Sequence, residues 1–151
     1  MKTIVALVDF SDVTPRLLDR AALLTRALAA RLILLHVVPE EPAVVELGIA
    51  SPTILREPSD RKIASDYQAL LAMRDSLAGS GFEVSAQQLE QAGVEKVLDL
   101  CRQLEAEMIV VGAHHHSALY RLFIGSFTSD VLKNATCPVL VVPAVTEAQV
   151  S

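Results

Sequence analysis

Short, nearly continuous apolar runs alternate along this chain with longer segments whose apolar residues recur at helical spacing. Such runs are typical of strands buried on both faces, and the spaced segments are typical of helices with one apolar face. The runs predict strands at Thr3–Val8, Leu32–Val38, Phe82–Leu89, Met108–Gly112 and Val139–Val142. Helices are predicted between them, beginning near Pro15, Ser59, Val94 and Gly125. Residues 39–58 hold four of the seven prolines and are predicted to form a loop.

Strand and helix alternate throughout, which indicates an α/β fold with right-handed crossovers. We expect an open, doubly wound, five-stranded parallel sheet of order 3-2-1-4-5 with helices on both faces. Residues 1–145 would form this domain and residues 146–151 a C-terminal tail. Ligands of such sheets bind at the carboxyl ends of the strands where the order reverses. Asp9 and Gly112 end the first and fourth strands, so both are predicted to line that crevice.

Composition and charge narrow the classes of partner. The 151 residues are 52% hydrophobic but only 4% aromatic, which predicts an aliphatic core. The net charge of −5 argues against nucleic acid, whose binding proteins usually carry a basic face. Asp9, Asp12 and Arg31 interrupt the first apolar stretches, so we expect no membrane span. Cys101 and Cys137 form no CxxC pair, and we expect reduced thiols in a cytoplasmic protein.

The last forty residues carry the candidate chemistry. A helix that opens at Gly125-Ser126 presents unpaired N–H groups and the positive end of its dipole, which attract an anion such as phosphate. Gly112 would allow a phosphate to approach the backbone closely. Each residue also has a simpler interpretation, because Gly112 could form a tight turn and Ser126 could cap the helix. Asp9 likewise is either a magnesium or ribose partner or a cap of the first helix.

A run of three histidines invites a metal interpretation. His114, His115 and His116 are consecutive, so they do not point at one ion, and no Cys, Asp or Glu accompanies them at zinc spacing. We therefore predict no specific metal site. His36 lies inside an apolar strand and is interpreted as a core histidine with its hydrogen bonds satisfied.

Over essentially its whole length the chain resembles the universal stress protein family. The resemblance rests on Val8-Asp9-Phe10-Ser11, Leu35-His36-Val37 and the closing Gly125-Ser126 and Cys137-Pro138-Val139-Leu140-Val141-Val142 segments. Nucleotide-binding members carry a glycine, two residues, a second glycine, nine residues, and then Gly-Ser or Gly-Thr. Gly112, Gly125 and Ser126 match this pattern, whereas His115 replaces the middle glycine.

The resemblance implies a site for an adenine nucleotide, ATP with Mg²⁺. Asp9 would lie by the nucleoside and Val37 near the base. The phosphates or ribose would contact the positions at the two glycine-bearing corners, where Phe127 also lies: Gly112, Gly125, Ser126 and Thr128. At His115 a positive φ would cost about 1 kcal/mol, although an imidazole can also donate a hydrogen bond to phosphate. Family members commonly form homodimers through the strand that matches Val139–Val142.

Catalysis has less support in the sequence than binding. Asp9-Phe10-Ser11-Asp12 lacks the second carboxylate, two residues on, that aspartyl phosphotransfer requires. Neither a G-x-S-x-G elbow nor a Walker A pattern occurs, nor the His-x-Gly-His motif of related nucleotidyl-transfer folds. We assign no catalytic residue and leave slow ATP hydrolysis open. The sequence favours a nucleotide-binding sensor or protective factor, and the alternative is a dimeric interaction module that binds no nucleotide.

Overall fold

The structure, a computed structural model, describes residues 1–38, 60–116, 121–123 and 126–144, and for residues 114–116, 121–123 and 126 it describes the backbone alone. The six strands within these ranges are β1 Thr3–Val8, β2 Arg31–Val37, β3 Val84–Leu89, β4 Ala106–His116, β5 Arg121–Phe123 and β6 Val139–Pro143. The four helices are α1 Thr14–Ala27, α2 Asp60–Ala78, α3 Val94–Gln103 and α4 Ser126–Asn134. The predicted domain boundary after residue 145 and the predicted loop at 39–58 lie outside the described residues.

Five of the strands form a parallel sheet in the order β3-β2-β1-β4-β6. Because β6 is the fifth parallel strand along the chain, this is the predicted 3-2-1-4-5 order, and the predicted fold class is confirmed. The sequence did not indicate β5, which pairs antiparallel with the end of β4. The order reverses between β1 and β4, so the switch point lies where it was expected.

Helices cover both faces of the sheet. Every residue of β1 is therefore buried, although successive side chains of a strand point to opposite faces. Ile4, Ala6 and Val8 pack with residues of α1 and α2, and we call this side the α1–α2 face. Val5 and Leu7 pack with residues of α3 and α4 on the α3–α4 face. Full burial of a side chain of this size stabilises the fold by about 1.5–3 kcal/mol.

One predicted boundary is wrong. The fourth strand was expected to end at Gly112, followed by a loop with the three histidines, but β4 continues to His116. Its last three residues pair with Arg121–Phe123. Histidines are polar, so the run gives no apolar pattern that would predict a strand. β4 extends through the run because these residues pair with residues further along the chain. Among the described residues, no helix is both long enough and apolar enough to cross a membrane.

Candidate functional site

A cavity of about 320 Å³ lies beside the carboxyl-terminal halves of β1, β2 and β4, at the switch point. Its polar lining residues are Asp9, Gly112 and Thr128. The remaining lining residues are apolar, namely Leu7, Val8, Leu35, Val37, Ala92, Val111 and Phe127. Most of these apolar residues belong to the α3–α4 face, so the cavity opens on that side of the sheet. An apolar pocket with a few polar groups at one end is the usual form of a small-molecule site.

The turn between β1 and α1 forms one wall of the cavity. Oδ1 of the exposed Asp9 accepts a hydrogen bond from the Ser11 backbone N–H at 3.0 Å and from the Thr14 hydroxyl at 3.5 Å. The N-cap of α1 is Val13, which makes no side-chain capping hydrogen bond. Asp9 is therefore not the N-cap of α1, which was one of its two interpretations; its carboxylate instead accepts hydrogen bonds from the preceding turn and from the first residue of the helix.

Phe10 adopts a backbone conformation that is unusual for its type. Its φ is +60°, in the left-handed region that favours glycine. For a bulky residue this conformation costs about 1–2 kcal/mol, so surrounding contacts must hold it. The Phe10 ring packs on the imidazole of His36, with ring centroids 4.6 Å apart and an angle of 57° between the planes.

Gly112 lies inside β4 and pairs with Val142, so the tight-turn interpretation is wrong. A Cβ at this position would lie only 3.1 Å from Cγ1 of Val13. Glycine suits this position because the start of α1 approaches β4 closely, and a larger residue would have to displace the Val13 side chain by a few tenths of an ångström. The Gly112 carbonyl also accepts a hydrogen bond from the Thr128 hydroxyl at 3.4 Å, which links β4 to α4.

The first turn of α4 forms the opposite wall. The helix begins at Ser126, and both Phe127 and Thr128 line the cavity. The unpaired N–H groups and the positive dipole end of such a turn suit an anion. Gly125 lies outside the described residues, as does the side chain of Ser126, so capping by Ser126 stays a prediction.

His115 does not have the strained backbone that was expected. It lies in the extended ladder of β4, opposite Leu122, and strand residues have negative φ. Its side chain is outside the described part of the chain. The proposal that it restricts or contacts a phosphate therefore rests on its position in the family pattern alone.

Five of the eight predicted site residues line this one cavity: Asp9, Val37, Gly112, Phe127 and Thr128. The sequence analysis missed the other five lining residues, Leu7, Val8, Leu35, Ala92 and Val111. Leu35 could have been found, because side chains two residues apart on a strand share a face, and Val37 was already predicted. Nothing in the sequence marks Ala92, which follows β3 and reaches the cavity only through the sheet topology.

The two cysteines are free, as predicted, and line a separate cavity of about 180 Å³. Burial raises the pKa of the Cys101 thiol to about 11, the negative charge of an ionised Cys137 raises it further, and Arg102 opposes both effects. Burial also raises the pKa of Cys137. Both thiols are therefore protonated and unreactive at neutral pH.

The described residues form no metal centre. Within residues 1–38, 60–116, 121–123 and 126–144, no three His, Cys, Asp or Glu residues are grouped as metal ligands would be. The side chains of His114, His115 and His116 lie outside this description, so the absence of a metal site at the histidine run stays a prediction.

The fold and cavity together define a class, the doubly wound α/β proteins with a ligand cavity at the switch point of a parallel sheet. The model of the universal stress protein family matches residues 1–143. This chain belongs to the universal stress protein family.

Individual relatives and solved structures support this family assignment. Universal stress protein A homolog 1 of Coxiella burnetii is 31% identical over 143 residues, covering 93% of this chain and 95% of the relative. The solved structure of UspA from Lactobacillus plantarum has a TM-score of 0.75 at 25% identity and covers 93% of this chain and 97% of its own.

A universal stress protein from Archaeoglobus fulgidus in complex with dAMP has a TM-score of 0.68 at 22% identity, covering 94% and 98% of the two chains. Further structures with this fold include a universal stress protein in complex with cAMP and an Arabidopsis thaliana family member with AMP bound.

Proposed function

We propose that this protein binds an adenine nucleotide, ATP with Mg²⁺, in the switch-point cavity and acts as a cytoplasmic sensor or protective factor in the stress response. The observation that carries the proposal is the convergence of Asp9, Val37, Gly112, Phe127 and Thr128 on one cavity. These residues come from the ends of β1 and β2, the middle of β4 and the first turn of α4, and the family resemblance in the sequence predicts each of them at a nucleotide site.

The chemistry of the cavity suits the parts of a nucleotide. Its volume of about 320 Å³ lies at the lower end of the range for small-molecule sites, about 300–1,000 Å³, which favours enclosure of the nucleoside alone. Val37 and its apolar neighbours offer a dry surface for a base. The phosphates would extend toward the first turn of α4, whose N–H groups need no cationic side chain to attract them.

Relatives with the same fold support the ligand class. The dAMP, cAMP and AMP complexes all contain adenine nucleotides with a single phosphorus atom. Our proposal of ATP goes beyond these ligands, and it rests on the family's glycine pattern at Gly112 and Gly125-Ser126.

Calorimetric titration tests the proposal directly. ATP, ADP, AMP and cAMP would each be titrated with and without Mg²⁺, and mass spectrometry of the native protein would show any nucleotide that it already carries. We expect saturable binding of ATP, strengthened by Mg²⁺. Tighter binding of AMP would correct the ligand, and no binding of any of the four would overturn the proposed function.

We further propose that two copies pair through β6. Among the described residues this strand pairs only with β4, and Val139, Leu140 and Val141 are partly exposed. An aliphatic edge of this kind favours pairing with another chain. Light scattering at micromolar concentration should give a dimer mass, and Val139→Lys should shift it toward the monomer. Leu23→Lys on α1, an exposed apolar position away from β6, is the control.

The same edge supports the alternative function, a dimeric interaction module that uses no nucleotide. The two functions differ in one measurement. A protein that dimerises through β6 but binds none of the four nucleotides would establish the module, whereas nucleotide binding with a monomer mass would exclude it.

A further inference from the structure

His36 is a buried polar residue in an apolar strand, and it does not line the cavity. It is 9% exposed, and the neighbours on either side, Leu35 and Val37, do line the cavity. Because successive side chains of a strand alternate, the imidazole lies on the α1–α2 face, opposite the cavity. Its imidazole nevertheless contacts Val8 and Phe10, the two neighbours of the cavity residue Asp9.

The strongest contact of the imidazole is with the end of β1. Nδ1 lies 2.7 Å from the carbonyl oxygen of Val8, and a carbonyl can only accept, so Nδ1 carries the hydrogen and donates it. Nε2 lies 3.6 Å from Oδ2 of Asp66 on α2, too far for a hydrogen bond. The bond to Val8 is therefore the contact that fixes the ring.

The same ring also contacts the residue on the other side of Asp9. Phe10 packs on the imidazole at 4.6 Å while its backbone is held at a φ of +60°. Asp9 thus lies between two residues that are both held by His36. Asp9 lines the cavity, and its side chain can keep one position only while this turn keeps its conformation.

We propose that His36 is a positioning residue of the nucleotide site: its Nδ1–H holds the end of β1 at Val8, and with it the neighbouring Asp9, and so sets affinity for a nucleotide that it does not touch. This inference rests on the proposed function. The imidazole also lies between α2 and the turn that borders the cavity. Among the described residues, Asp66 of α2 is the charged group that faces its Nε2.

Two substitutions separate positioning from simple packing. His36→Asn keeps an N–H donor the same number of bonds from Cα as Nδ1, whereas His36→Leu keeps apolar bulk and removes the donor. We expect Asn to retain ATP affinity within about twofold and Leu to weaken it roughly five- to tenfold, the effect of losing one buried hydrogen bond. If packing alone matters, the order reverses, because leucine suits an apolar strand better than asparagine, and that result would overturn the proposal.

Nuclear magnetic resonance of the nucleotide-free protein keeps this test independent of the proposed function. In the wild type, the ¹⁵N signals of His36 should show the hydrogen on Nδ1, and finding it on Nε2 alone would overturn the inference without any variant. The backbone amide signal of Asp9 should move strongly in His36→Leu and little in His36→Asn, whereas that of Phe10 should move in both variants because both remove the imidazole ring. If these shifts appear but the wild type binds no nucleotide, the turn is held as inferred and the proposed function has failed. If they do not appear, the inference has failed whatever the nucleotide result.

Discussion

Two connections border the cavity, one from β1 to α1 and one from β4 to α4, and they differ in where glycine occurs and where the backbone is strained. The turn from β1 to α1 contains no glycine, yet it holds Phe10 in a conformation that favours glycine. The other connection leads from β4 to α4, and the glycine on that side, Gly112, lies in a regular strand and needs no unusual conformation. The two meet where Val13 packs against Gly112. At this cavity, therefore, the glycine lies where two elements approach closely, whereas the conformation that favours glycine is adopted by an aromatic residue whose ring packs on His36.

The largest effect is expected at the second connection. Gly125→Val should abolish ATP binding, at least a hundredfold loss by calorimetry, because a β-branched side chain would block the helix N-terminus from the phosphates. Gly79→Val at the end of α2 is the control, since a Cβ there meets nothing within 4 Å. Unchanged affinity in Gly125→Val would mean that the phosphates do not reach the start of α4.

Packing between the two connections is tested by Gly112→Ala. The new methyl group would crowd Val13, and overpacking of this kind costs about 1–3 kcal/mol in the free energy of unfolding, measured in urea. Gly79→Ala should change stability by less. Adding Val13→Ala to Gly112→Ala should recover part of the loss, and a double-mutant cycle measures that coupling. A coupling energy of zero would contradict the close approach.

The strain in the first connection is tested by comparing two residues with positive φ. Ala29 is an exposed residue after α1 with a φ of +51°. Ala29→Gly should therefore stabilise the protein by about 0.5–1 kcal/mol. Phe10→Gly relieves similar strain but removes the ring from His36, so we expect a net loss of about 1 kcal/mol. Both changes are measured by urea unfolding. Equal stabilisation by the two substitutions would show that the ring contact contributes nothing.

A smaller effect is expected from His115→Gly, which restores the residue of the family pattern. The backbone of β4 is already extended at this position, so any gain must come from removing the imidazole and not from relieved strain. We expect ATP binding to tighten several-fold in calorimetry, which corresponds to about 1 kcal/mol. Weaker binding would instead identify His115 as a phosphate ligand.

Removing metal ions is expected to have no effect on the stability of the nucleotide-free protein. Three consecutive histidines do not supply a closed tetrahedral shell, so a chelator should leave the melting temperature unchanged. A matched scan of a variant with all three histidines replaced by alanine controls for unspecific effects of the chelator. A large downward shift in the wild type alone would reveal a structural metal site at the histidine run.

Local patterns in the sequence were sufficient to predict the α/β class and half of the residues that line the cavity. The fully buried β1 and the helical spacing in α1 are consequences of which residues are apolar, a property that each short segment carries by itself. The position of Gly112 near Asp9 followed from topology, because the carboxyl ends of adjacent parallel strands share one edge. Five predicted residues therefore met at one cavity.

Tertiary structure alone decided how those residues are held. His36 and Val8 are 28 residues apart in the chain, and no local pattern shows that an imidazole will bond to that carbonyl. The pairing that extends β4 through the histidines and the contact of Val13 with the Gly112 position arise in the same way. Such contacts depend on the distance between elements that meet only in the folded chain. Periodicity in the sequence records which side of an element is buried, but not which atom lies against it.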